Sequence, residues 1–257
     1  MTSGLPRHEE IRLLAAATGR TIAEVRSGVN LTAAERHAVD LLARRRVAGE
    51  PLQYLEGTVD FAGLELVVDS RVLIPRPETE YLTELLARTA PPPRLIVDLC
   101  TGSGALALTL KKQFPESKVV GTDISPEALA VAALNSDRNR LEVEWRLGDL
   151  FDALPPEFSG RIDLLVANPP YVSEADWAGL PVDVRHEPRH ALVAGPDGFE
   201  KIEVILNGLD EWLAAGGSAW IEVGDGQSER VAEGAVQVVP DQYDRPRYLR
   251  YERSRSD

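Results

Sequence analysis

An apolar run, Leu164-Leu165-Val166-Ala167, ends abruptly in Asn168-Pro169-Pro170-Tyr171. Prolines cannot donate to a neighbouring strand and they hold the backbone stiffly. The Asn168 side-chain oxygen and the Pro169 carbonyl can then accept from both N–H bonds of one planar amino group, while Tyr171 offers a flat face for that group to stack on. The nitrogen of an amide, or of an exocyclic amine on a base, is a poor nucleophile because its lone pair is delocalised. Two acceptors that hold its hydrogens aim the lone pair out of plane at an electrophilic carbon. Positioning of this kind, at about 3–3.5 Å, can supply much of a rate enhancement without any nucleophilic side chain.

A second candidate site lies in DLCTGSGALAL, residues 98–108. Gly102 and Gly104 let the backbone approach a ligand and take conformations a Cβ penalises. No Gly-Lys-Ser/Thr follows, so this is not a P-loop. Ala107 stands where a dinucleotide fingerprint has its third glycine. By itself the turn could simply join a strand to a helix. Asp123 in GTDIS sits where an acidic residue at a strand end accepts ribose hydroxyls, and Asp149-Leu150 provide a polar acceptor and an apolar wall for an adenine. Among the alternatives, which include a nicotinamide cofactor and a turn with no ligand, S-adenosylmethionine fits best.

These residues need a scaffold. From Leu95 onward, β-type runs (LIVDL, KVVGTD, LEVEWRLGD, RIDLLVAN, SAWIEVG) alternate with helical patterns, which implies a mostly parallel sheet covered on both faces. The last segment, AVQVVPDQYDRPRYLRYE, reads as two strands that add an antiparallel edge. Upstream, Ile11, Leu13, Leu14 and Ala17 predict a helix ending near Gly19. Thr32 with Glu35 forms a capping-box pattern that opens another. Residues 52–74 read as extended, with a hairpin around Ala62-Gly63, and Pro77 is placed to begin a helix. The predicted architecture is an α/β, Rossmann-like class I methyltransferase fold. It has a seven-stranded, mostly parallel sheet (75–257), a hairpin linker (51–74) and a small helical domain (1–50).

The 257 residues carry a formal net charge of −13, with 44% hydrophobic residues. That balance argues against a broad nucleic-acid surface, which needs clustered Lys and Arg. Arg44-Arg45-Arg46 and the stretch from Arg245 to Arg255 read as solvated faces. No apolar run approaches a membrane span, and MTSGLPRHEEIRLL lacks a signal-peptide pattern, so a cytoplasmic location is expected. Cys100 is the only cysteine, which rules out an intramolecular disulfide and a cysteine-built zinc site. His186 and His190 are interrupted by Pro188 and read as surface or packing residues, with no metal expected. Glu222 and Asp225 flank Gly224, but the chemistry requires no base there.

RRRVAGEPLQYLEG, VLIPRPETE, DLCTGSGALALTL, GTDIS, ANPPYV, VRHEPRHALVAGPDG and IEVGDGQ together resemble the HemK/PrmC family, protein-(glutamine-N5) methyltransferases of peptide chain release factors. The resemblance implies that the acceptor is the glutamine amide of a Gly-Gly-Gln motif, bound by Asn168, Pro169, Pro170 and Tyr171. It also implies that Cys100, Thr101, Gly102, Ser103 and Gly104 line the methionine part of S-adenosylmethionine. Asp123 would bind its ribose, and Asp149 with Leu150 would flank its adenine. Asn168 would border the same cofactor, and S-adenosylhomocysteine would be the product. Arg76 and Thr79 would shape the glutamine pocket, and the N-terminal helices would dock on a release factor, met by a monomer. Cys100 stands where the family usually has glycine, Leu150 where some members carry an aromatic, and the N-terminal region is shorter by about one helix. A ribosomal-protein glutamine methyltransferase and an adenine-N6 nucleic-acid methyltransferase are the rival readings. The first lacks the PRPETE segment, and the second would want a basic face.

Overall fold

The computed structural model describes residues 4–88, 91–231 and 236–255. The outermost residues of the two predicted end domains, and Ala235 at the head of the predicted closing pair, lie outside the described residues. Helix α1 (Arg7–Thr18) stops at Gly19 as predicted, and α3 (Ala33–Val47) begins at the Thr32–Glu35 capping box. Between them lies α2 (Ile22–Arg26), opened by a second capping box, Thr21–Glu24, whose T-x-x-E pattern is present in the sequence.

The expected extended stretch after Pro51 is corrected at its start, where Leu52–Glu56 is a helix, α4. Five residues are too few for a helical period to show in the sequence; packing on two sides decides the conformation. Leu52 and Leu55 are buried against Leu13, while Tyr54 packs with Val68, Val72 and Ile74 and donates its hydroxyl to the Val72 carbonyl at 2.6 Å. The hairpin β1 (Thr58–Phe61) and β2 (Leu64–Val67) then forms in antiparallel register as read from the sequence. It is not a free connector. Phe61, Leu64 and Leu66 share a core with Leu82 and Leu86 of α5 (Pro77–Leu86). The buried Asn135 amide exchanges hydrogen bonds with both backbone groups of Val67 and donates to the Ser103 carbonyl, fastening the hairpin to the glycine turn.

The main sheet is assembled from β3 (Leu95–Leu99), β4 (Lys118–Asp123), β5 (Glu144–Leu147), β6 (Ile162–Ala167), β9 (Leu213–Glu222), β10 (Val236–Pro240) and β11 (Pro246–Glu252). Helices α6 (Ala105–Gln113), α7 (Pro126–Asn139) and α8 (Glu200–Trp212) connect its strands, and a small parallel pair, β7 (Val172–Ser173) with β8 (Val193–Gly195), lies beside it. The order is β10-β11-β9-β6-β3-β4-β5, with β10 and β11 antiparallel to their neighbours and the rest parallel. β3 and β6 are buried along nearly their whole length, as a sheet covered on both faces requires. The order reverses between β3 and β6, and a crevice at the carboxyl ends of such strands is where an open α/β sheet binds its ligand.

Two features depart from the sequence reading. β9 starts at Leu213, five residues before Ser218, so the Ala-Ala-Gly-Gly segment that resembles a loop is strand. The register of β6 on β9 shifts between Ile162 and Leu164, and a Cβ on Gly217 would stand 2.6 Å from the Ile162 carbonyl oxygen. Glycine is needed there because two backbones touch. The β7–β8 pair has no forewarning in a two-residue strand, and it anchors the chain directly after Tyr171.

Candidate active site

The sheet order brings the two sequence candidates together at one cleft. Its walls include Cys100, Thr101, Gly102 and Ser103 after β3, Asp123 at the end of β4, Asp149 and Leu150 after β5, and Asn168 and Pro170 after β6. Pro75 and Thr79, from the segment around Pro77, also line it. Gly104, Pro169, Tyr171 and Arg76 are not among its walls. Gly104 caps α6 with φ 83°, and a Cβ there would stand 2.9 Å from the Trp145 ring, so its place is in the packing behind the turn. Arg76 has its guanidinium bound by Glu187, a buried carboxylate that also accepts from the Ile74 backbone N–H at 2.9 Å. That pair ties the Ile74–Thr79 segment to the Glu187-Pro188-Arg189-His190 segment.

Asp123 is held by its own surroundings. One carboxylate oxygen accepts from the Gly102 N–H at 2.8 Å and the other from the Ser125 N–H at 2.9 Å. Each oxygen keeps a second lone pair, which leaves room for two hydroxyl donors. Burial pushes this carboxyl above its usual range, while the two N–H bonds and the nearby His190 favour the anion. His190, read from the sequence as a surface or packing residue, thus stands exposed on the cleft wall. Asp149 is clamped by Lys201 from α8, whose Nζ lies 2.9 and 2.6 Å from its two oxygens.

Asp98 was missed by sequence reasoning, although it opens the same DLCTGSG segment. It is buried and lines the cleft; one oxygen accepts from the Thr101 hydroxyl and from the Ala107 N–H at 3.2 Å, and the other has no partner. Burial pushes its carboxyl up to about 7. A raised carboxyl favours folding while neutral, and that stability is lost as pH rises from the ordinary carboxylate range through about 7. Asp98→Asn should therefore be more stable than the unmodified protein by about 1–2 kcal/mol at pH 8, with the difference vanishing near pH 4. Thermal melts of the ligand-free proteins across that range would check it.

Cys100 sits at φ 59°, a left-handed conformation that disfavours a side chain. Burial, with Asp123, Asp98 and Asp149 nearby, pushes its thiol upward, so it stays neutral and serves by size alone. Cys100→Gly should raise stability by about 0.5–1 kcal/mol, the left-handed penalty less the added chain entropy. Denaturant titration of both proteins would measure the gain.

At the other wall, the Asn168 amide nitrogen donates to the Thr79 hydroxyl at 3.1 Å, and that hydroxyl donates to the Glu222 carboxylate at 2.7 Å. The Asn168 oxygen is buried and has no partner. Tyr171 packs beside the core; its carbonyl and that of Gly198 accept from the Gln227 amide. Burial and the neighbouring Glu222 push its phenol up to about 12, so it stays neutral. His186 and His190 lie on separate 3₁₀ turns divided by Pro188, and no cluster of His, Cys, Asp or Glu fit to hold a metal occurs among the described residues.

The walls fit the cofactor that the sequence implies. The unpartnered Asp98 oxygen and the spare lone pairs of Asp123 offer acceptors for an ammonium and a ribose, and Leu150 offers an apolar wall for an adenine.

Comparison with known proteins narrows the reading. The family described as Methyltransferase small domain matches residues 77–182. A release factor glutamine methyltransferase of Geobacter sulfurreducens is 43% identical over 191 residues, covering 74% of this chain and 66% of that protein. The Moorella thermoacetica protein of the same name is 43% identical over 222 residues, 81% of this chain and 77% of its own length. Among solved structures, a ribosomal protein L11 methylase from Lactobacillus delbrueckii subsp. bulgaricus superposes with TM-score 0.51 at 21% identity, covering 74% of this chain and 84% of that one, a likeness of fold. With the fold, the cleft and this level of identity in agreement, the chain belongs to the release factor glutamine methyltransferase family.

Proposed function

We propose that this protein transfers a methyl group from S-adenosylmethionine to the side-chain amide nitrogen of the glutamine in the Gly-Gly-Gln motif of peptide chain release factors. The observation that carries the reading is the buried, unpartnered Asn168 oxygen at the wall of a cleft that begins at the glycine turn. A buried acceptor without a donor costs about 1–3 kcal/mol, which a substrate N–H would recover. Relatives about 40% identical carry the name of this activity.

In this reading Asp98, Asp123, Asp149 and Leu150 hold the cofactor, which supplies a methyl group on positively charged sulfur. Asn168 accepts one N–H of the glutamine amide and the Pro169 carbonyl accepts the other. This fixes the nitrogen's lone pair toward the methyl carbon. Tyr171, neutral across the working pH range, packs over the amide plane. No side chain needs to act as base, because the methylated amide cation loses its proton to solvent readily. The helices α1 to α4 form a docking unit for the release factor, the protein acts as a monomer in the cytoplasm, and S-adenosylhomocysteine leaves as product.

Incubation with methyl-labelled S-adenosylmethionine and a release factor, beside a release factor whose Gly-Gly-Gln glutamine is alanine, tests the proposal. Label on the first and none on the second is expected. Equal label on both, or label only on a ribosomal protein or a DNA duplex, would overturn it.

A further inference from the structure

The side-chain amide of asparagine has a donor end and an acceptor end of nearly equal size, so shape alone does not decide which end faces a ligand. Asn168 can serve as an acceptor for an amide N–H only if its oxygen faces the cleft. In the reverse orientation it would present hydrogens to hydrogens. Something must choose.

The register of the parallel sheet supplies that choice. Ala167 of β6 pairs with Ile221 of β9, so Asn168 and Glu222 follow at the carboxyl ends of neighbouring strands. Thr79 reaches between them from α5, with its hydroxyl 2.7 Å from Glu222 and 3.1 Å from Asn168 Nδ2. An ionised carboxylate only accepts, so it takes the one hydroxyl hydrogen of Thr79. The Thr79 oxygen then has lone pairs alone to offer, and only the Nδ2 end of Asn168 can meet them. We infer that Glu222 is a positioning residue: acting through the Thr79 hydroxyl, it turns the Asn168 oxygen toward the substrate amide.

The inference rests on the proposed methyl transfer to glutamine and deepens it. Glu222 is 1% and Thr79 4% exposed, and the Asn168 oxygen is buried, so solvent does not supply competing donors to the relay. The polarity of the relay depends on the charge of Glu222. A protonated Glu222 would donate to Thr79, free the threonine hydrogen for Asn168, and favour the reversed amide. Burial pushes this carboxyl up to about 7; the Thr79 bond, Arg247 and Arg76 favour the anion, and Glu78 opposes it. Tyr248 on β11 and Tyr171 after β6 also face it, and both stay neutral. Since the folded carboxyl is raised, the anion, and with it the correct relay, is present above about pH 7 and lost below it.

Thr79→Val, Thr79→Ser, Glu222→Gln and the Thr79→Val/Glu222→Gln double variant test this, assayed on a release factor with cofactor affinity measured separately by calorimetry. Thr79→Val should lower kcat about 10–100-fold, with KM and cofactor Kd within about twofold. Thr79→Ser should recover most of the loss. The Thr79→Val/Glu222→Gln double variant should be no slower than Thr79→Val, because Glu222 acts only through the hydroxyl. The acid limb of the kcat profile near pH 7 should disappear in Glu222→Gln. Multiplying effects in the double variant, or an unchanged kcat in folded Thr79→Val, would overturn the inference. If the unmodified protein labels no release factor, the functional reading fails, and the relay is decided by NMR of the Asn168 side-chain amide. Its resonances should shift with a midpoint near pH 7, a shift that Thr79→Val should abolish; the same titration in Thr79→Val would overturn the relay.

Discussion

Asn168→Ala is expected to lower kcat by about 10³-fold while leaving cofactor affinity within a few-fold. The magnitude comes from two losses. Removing one preorganised polar contact at a reacting group typically costs about 10²–10³ in rate. Displacing a reacting group by even an ångström can cost a further 10²-fold, but the two overlap because the contact is also the positioning device. The structure favours the larger end of the single-contact range. The Asn168 oxygen is buried and unpartnered, and its nitrogen is already anchored on Thr79, so little reorganisation is needed when substrate arrives. Alanine also strands the Thr79 oxygen without its donor, a cost in stability separate from the loss of the substrate contact. Single-turnover methylation at saturating cofactor, with calorimetry for cofactor binding, separates the two. A kcat within tenfold of the unmodified protein would show that Asn168 does not bind the reacting amide.

Asp123→Ala is expected to weaken S-adenosylmethionine binding by about 10²-fold or more. Hydrogen bonds to a charged acceptor contribute about 1.5–3 kcal/mol each, and in the proposed cofactor pose two ribose hydroxyls would share this carboxylate. Part of the loss is indirect. Asp123 also accepts from the Gly102 and Ser125 N–H groups, so its removal releases the glycine turn and the start of α7 together. The stability of the ligand-free protein should fall by about 1–2 kcal/mol for that reason. Calorimetric Kd and denaturant midpoints would report the two effects independently. Normal cofactor affinity in a destabilised protein would assign Asp123 to the turn alone.

The architecture was legible because its signals are local. Alternating apolar runs and helical periods exposed the parallel sheet, Pro77 marked the start of α5, and the Thr32–Glu35 box marked α3. Asn168-Pro169-Pro170-Tyr171 stood out as a candidate amino-group clamp, and Asp123 as a candidate ribose acceptor, because each motif carries its chemistry within a few residues. Where local signals are short or ambiguous, the reading missed: α4 depends on packing on two sides, and the glycine-rich start of β9 depends on a backbone lying against it.

The sequence by itself determined the fold class, the family and the glycine turn. Only the tertiary structure decided how those residues are held. Asn168 meets Thr79 across 89 residues, and Thr79 meets Glu222 across 143. Glu187 secures Arg76 across 111 residues, and Lys201 clamps Asp149 across 52. Backbone propensity and side-chain periodicity act over a few residues along the chain. The orientation of a buried amide is instead set by whichever donors and acceptors the sheet register places beside it, and that register exists only once β6 and β9 lie together.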